Sequence, residues 1–187
     1  MRSLFITLCL ANIAFAFGMI PWMPNPMAVH FALDGTPDGW GPPLVNALLM
    51  SIVVGIMTAI ILGISLLAPV IPKELWNIPN RDYWLNEENR PQTIRRCQLM
   101  IELIGTGSML IILLVQWELF QANRTVPPTK LNAVVLLCAT GILVAVIIFE
   151  SVRFSLSFRL PKEKRQLDGS AIPTTMTPNE KPKGDNQ

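Results

Sequence analysis

The sequence predicts an all-α membrane protein: four transmembrane helices, both termini cytoplasmic, a short ordered external loop and a disordered C-terminal tail. Three observations carry this. Of 187 residues, 51% are hydrophobic and 15% charged, whereas soluble domains average about a quarter charged. The apolar residues gather in four runs, each near the ~20 residues needed to cross a bilayer. Lys and Arg lie almost wholly on one side of those runs, as cytoplasmic loops require. The same composition excludes disorder throughout. Three cysteines exclude a disulfide scaffold, and a net charge of +2 gives no basic face for nucleic acid.

The four spans cover about 3–20, 44–70, 99–120 and 131–149, within a transmembrane domain of residues 1–160. The first, second and fourth carry no charge; the third has Glu102 and Glu118 near its ends. A soluble bundle would show a polar stripe along each helix, and runs two and four have none. Residues 1–16 also resemble a signal peptide, with Arg2, an apolar core and Ala14-Phe15-Ala16 as a cleavage-like site; the spanning helix is the retained reading.

Orientation follows from the segments between spans. Arg2 precedes span one. Loop two (71–98) holds Lys73, Arg81, Arg90, Arg95 and Arg96, and seven more cations follow span four. Loop one (21–43) has none and loop three (121–130) has Arg124 and Lys130. Thirteen against two places both termini and loop two in the cytoplasm and loops one and three outside. The protein is expected in the cell membrane as a multi-pass chain. All five Trp lie outside or at the end of a span, where headgroups favour them; anchoring is the first reading for Trp22, Trp76 and Trp117.

Span two carries Ala47, Ser51, Gly55, Ala59 and Gly63, each four residues apart. Small residues on one face let another backbone approach; a helix of the same chain is the preferred partner and a second copy the other choice. Gly105 and Gly107 mark a thin or bent place in span three. That helix starts before the membrane, with Pro91 suited to a first helical position, and continues to Phe120. Asn12, Glu102 and Glu118 are the intramembrane polar residues that need an account. Each glutamate is expected to reach its own interface, with Arg95 and Arg96 near enough to neutralise Glu102.

Loop one reads PWMPNPMAVHFALDGTPDGWGPP. MAVHFAL suits a short strand, and Asp34-Gly35 and Pro37-Asp38-Gly39 are turn signals. It contains His30, the single histidine. His30, Asp34 and Asp38 lack recognised ligand spacing, and turn chemistry explains the aspartates, so no metal is assigned. No nucleophile elbow, Cys-x-x-Cys or phosphate-binding glycine loop is present. The expectation is therefore no enzyme, no catalytic residue and no cofactor. Loop two mixes five cations and four acids with Trp76, Tyr83 and Trp84, as an interfacial segment does, and Asn77-Ile78-Pro79-Asn80 is a turn. Residues 161–187, with four prolines and almost no apolar content, are expected to be disordered. Cys97 is expected to face the cytoplasm, and Asn123-Arg124-Thr125 matches a glycosylation sequon by spacing alone.

Pro24, Val29-His30-Phe31, Asp34-Gly35, Pro37-Asp38-Gly39-Trp40 and the apolar helix from Leu44 resemble a bacterial membrane family called domain of unknown function 1648. The string from Asn77 through Asn80, Arg81, Asp82, Tyr83, Trp84 and Leu85, followed by Arg90, is similar too. The resemblance covers roughly 3–120. Its members resemble the N-terminal region of the SdpI immunity protein. It implies a bacterial integral membrane protein that protects against a secreted toxic peptide and captures a repressor at the membrane. The site expected from it is His30, Asp34, Gly35, Asp38 and Trp40 outside, with Asn80, Arg81, Asp82, Tyr83 and Trp84 inside. Three functions compete. One is a binding or immunity module meeting an external peptide or membrane partner. One is an accessory subunit of a membrane complex. One is a small transporter lined by Asn12, Glu102 or Glu118. The lipid bilayer is a partner in all three.

Overall fold

The computed structural model describes residues 1–161; the expected disordered tail lies outside the described residues. The element order is α1 (Arg2–Gly18), β1 (Met27–Phe31), β2 (Pro37–Gly41), α2 (Pro43–Leu67), the single turn α3 (Arg81–Trp84), α4 (Arg90–Asn123) and α5 (Ala133–Leu156). Among the described residues, four helices are long and apolar enough to span a membrane. Short 3-10 turns extend α1 to Trp22 and α2 to Val70, so both reach the expected span ends. α4 has 34 residues, about 50 Å at 1.5 Å per residue. It opens on Arg90 with Pro91 in its first turn, where the missing N–H costs nothing. α5 runs past the apolar segment to Leu156.

The core is a three-helix seam of α1, α2 and α4, with α5 packed on the far side of α4. Phe5, Cys9, Val54, Ile61 and Met109 fill its centre. The thin place in α4 is real and does two jobs. A Cβ on Gly105 would stand 2.9 Å from both Ile61 Cγ2 and Phe5 Cε2; one on Gly107 would stand 2.5 Å from Leu143 Cδ1. Losing two side chains lets α1 and α2 close on one face of α4 and α5 on another.

The face of α2 that packs is not the small-residue one. Its buried residues are Pro43, Asn46, Ala47, Val54, Ile61 and Ser65. Beyond Ala47 the series turns outward: a Cβ on Gly55 or Gly63 would meet nothing within 4 Å, and Ala59 is exposed. The intramolecular partner expected for that face is therefore corrected. The bulkier Val54 and Ile61 fill more of the seam than glycines would, and dispersion contacts reward that. Leu48, Ile52, Ile56, Ile60 and Ile64 are also exposed, and α5 buries no residue; these surfaces suit lipid as solvent.

Candidate functional site

Loop one folds as an antiparallel hairpin, β1 against β2. The Asp34-Gly35 turn holds: Gly35 has φ 81°, and its N–H donates to Ala32 O at 2.9 Å. Asp34 Oδ1 accepts from the Thr36 hydroxyl and N–H at 2.6 and 3.0 Å, which is an Asx-type turn. The expected second turn at Pro37-Asp38-Gly39 is instead strand β2. One glycine turn suffices to reverse the chain, and Gly39 pairs across from His30. A Cβ on Gly39 would stand 2.7 Å from His30 Cβ, so the strands meet there only without a side chain. The register slips on either side of His30, as bulges do where they re-aim a side chain.

The hairpin is fixed to the α4–α5 end of the bundle. Asn123 Oδ1 accepts from Ala28 N–H at 2.7 Å, and its Nδ2 donates to Ala28 O and Leu119 O, each at 2.9 Å. One buried amide thus pairs with β1 as a neighbouring strand would. Leu131 N–H donates to Gly35 O at 2.9 Å, and a Gly35 Cβ would stand 2.5 Å from Leu131 O. Lys130 Nζ lies 3.1 Å from Asp34 Oδ2. The Thr36 hydroxyl, then its N–H, then Lys130 pull the Asp34 pKa down to about 2. Met19, Met23, Met27 and Leu119 pack beneath.

The five expected external residues therefore divide. Asp34 and Gly35 build and dock the turn. His30 Nδ1 pairs with Asp38 Oδ1 on the exposed side. Asp34 stays with Thr36 and Lys130, so His30, Asp34 and Asp38 form no three-ligand set. Trp40 is half exposed, and Leu33 at the tip is wholly so. Asn123, Lys130 and Leu131, which fix the loop, were not expected from the sequence. Their partners lie about a hundred residues away, and the one local signal at Asn123, the sequon, points elsewhere. With Asn123 1% exposed and its amide engaged, it is not presented as a glycan acceptor.

The expected cytoplasmic set closes the other end. Asn80, at φ 53°, donates through Nδ2 to Phe158 O at 2.8 Å, and Trp84 Nε1 donates to the same oxygen at 2.8 Å. Phe158 is fully buried and meets the Trp84 ring edge-on; Tyr83 also meets that ring edge-on, at 5.0 Å between centroids. Arg81 Nη1 donates to Glu74 O at 2.9 Å, and Asp82 faces Lys73 at 3.6 Å. Thr93 Oγ1 holds Trp84 O at 2.7 Å. Loop two is thus a cap over the end of α5, and Trp84 is a structural donor rather than only a headgroup anchor. Cys97, expected on the cytoplasmic side, is a free cysteine and buried, because the 3-10 turn after α2 packs on that part of α4.

Between the two ends runs a line of buried polar groups. Glu102 turns into the bundle, and its cation is Arg2 at the start of α1 rather than Arg95 or Arg96. It is fully buried; its Oε1 accepts from Arg2 Nε at 2.9 Å and from Ser65 Oγ at 3.3 Å. Arg2 also donates to Ser65 Oγ at 3.1 Å. Helix α4 turns Glu102 toward α1 and α2, so the nearest cation is the one that opens α1. Asn12 Nδ2 donates to Met109 O at 3.0 Å, and Gln116 Nε2 donates to Asn12 Oδ1 at 2.8 Å. Asn12, Gln116 and Glu102 each find a partner inside the bundle, where an unpaired polar group is costly, while Glu102 Oε2 and Gln116 Oε1 stay buried without one. Glu118 stays half-buried.

The comparison with protein families bears on this arrangement. Residues 7–55 match the family model described as domain of unknown function, DUF1648. The DUF1648 match takes in most of α1, the whole hairpin and the first half of α2. It bears out the resemblance over that segment and does not extend to the loop-two string from Asn77 to Leu85. Every hairpin residue that carried the resemblance lies inside it. The chain matches no curated protein and no solved structure.

Proposed function

We propose that this integral membrane protein is a non-catalytic binding module, in which the hairpin end meets an external peptide or a membrane partner, as the SdpI-type resemblance implies. One observation carries the reading. The hairpin is held at Ala28 and Gly35 by Asn123 and Leu131, while Leu33, Val29 and Trp40 stay exposed on it. A preorganised apolar edge binds without first losing loop entropy. The Lys and Arg bias supports placing this end outside and both termini in the cytoplasm, and the resemblance to domain of unknown function 1648 supports a bacterial cell membrane. To test it, His30→Ala, Leu33→Asp and Trp40→Ala variants are challenged with the strain's own peptide toxins. Raised sensitivity is expected; sensitivity unchanged in all three and in a deletion strain would end the immunity reading.

A second reading, an accessory subunit of a membrane complex, is favoured by the outward small-residue face of α2. Gly55 and Gly63 leave room there for another backbone. Purification in mild detergent followed by mass spectrometry separates the two: a co-purifying membrane protein supports it, and a clean monomer counts against it.

A further inference from the structure

Where α4 and α5 part, at the end that carries the N-terminus and the loop-two cap, they leave a cleft of about 650 Å³. Its floor is apolar: Leu99, Leu103 and Phe154, the two leucines belonging to the third apolar run. Its rim is cationic: Arg96 from α4, Arg153 from α5 and Arg159 just beyond it. Arg96 is half-buried and lies with its guanidinium 5.4 Å from the Trp84 ring centroid, which fixes it toward the cleft mouth. Arg153 Nη2 meets Glu150 Oε2 at 2.6 Å. Among the described residues Arg96 and Arg159 have no carboxylate partner.

We propose that this cleft holds an anionic phospholipid, its phosphate against Arg96, Arg153 and Arg159 and one acyl chain along Leu99, Leu103 and Phe154. The argument is charge and depth together. Arg96 and Arg159, without a carboxylate partner among the described residues, and Arg153, shared with Glu150, stand at the level where an apolar helix run gives way to polar sequence, which is where lipid phosphates lie. Guanidinium forks match phosphate oxygens in pairs. An apolar floor continuous with the lipid-facing seam accepts a chain that a soluble anion lacks. The sequence that follows Pro161 offers the wrong charge for the rim, because residues 162–165 hold Lys162, Lys164 and Arg165 against Glu163 alone.

The test is native mass spectrometry of the full-length protein from detergent, with phosphatidylglycerol or phosphatidylcholine added. Wild type should retain phosphatidylglycerol preferentially. Arg96→Gln, Arg153→Gln and Arg159→Gln should each weaken retention about fivefold, whereas Lys73→Gln, a cation of the same face outside the cleft, should not. Glu150→Gln should strengthen it, a gain that misfolding cannot mimic. Glycerol phosphate should fail to displace the lipid. Equal retention by the arginine variants and Lys73→Gln, or no preference over phosphatidylcholine, would overturn the proposal. So would displacement by glycerol phosphate, or retention that appears only after residues 162–187 are deleted.

Discussion

Asn123 occupies the place of a third strand. Its amide satisfies both backbone groups of Ala28, a residue wholly removed from solvent. Asn123→Ala leaves that N–H and C=O buried without partners, and should cost about 1–3 kcal/mol. Thermal unfolding in detergent measures this, and the hairpin amides should lose hydrogen-exchange protection in the same variant. Asp34 gives the hairpin a pH dependence. Its folded pKa of about 2 lies below the ordinary 3.8, so the carboxylate contributes stability above about pH 4 and the contribution disappears as pH falls through 2. Protection of the Leu131 amide should hold down to pH 4 and drop below it, and Asp34→Asn should show no such step. Glu102 is the opposite kind of residue, a buried charge with one cation. Arg2→Gln strands its carboxylate and should cost near the low end of the roughly 3–5 kcal/mol known for broken buried pairs, since Arg2 is partly exposed. Arg2→Gln with Glu102→Gln should unfold at a higher temperature than Arg2→Gln alone.

Among the elements, α4 is the one that all others need. It contacts α1, α2, α5 and β1, and its two glycines set how closely they approach. The two should respond differently to alanine. At Gly105 the new methyl meets packed Ile61 and the Phe5 ring, and overpacking of that kind costs about 1–3 kcal/mol. At Gly107 it meets the far end of Leu143, on a helix that buries nothing, and Leu143 can turn away. Thermal scans of Gly105→Ala and Gly107→Ala in one detergent should therefore show a clear fall for the first and a small change for the second. Helix extents were largely legible in the sequence, because apolar length marks them and Pro91 marks the start of α4; that α2 opens on Pro43 is seen only in the structure. Which face of α2 would pack was not legible. Small residues at every fourth place permit close approach, but they gain less than Val54 and Ile61 when a neighbour is already shaped to receive those side chains.

At the scale of the whole molecule, the hairpin and the α4–α5 connection share one end. The N-terminus, loop two and the close of α5 share the other, tied through Phe158. An exposed cysteine at each end tests their sidedness. In a background without Cys138, Leu33→Cys should react with a membrane-impermeant reagent in intact cells, and Asp82→Cys only after permeabilisation. Labelling of both from one side would contradict a four-span topology.

The sequence by itself determined the spans, the pairing of loops by side, and the Asp34-Gly35 turn. Each depends on neighbours in the chain: apolar length, charge outside the runs, and a residue that must adopt positive φ. Tertiary structure alone decided that Arg2 is the partner of Glu102, that Asn123 completes the hairpin, that Asn80 and Trp84 converge on one carbonyl oxygen, and that Gly39 belongs to a strand. Those contacts join positions that only packed helices bring together, and no periodicity within a single segment encodes them.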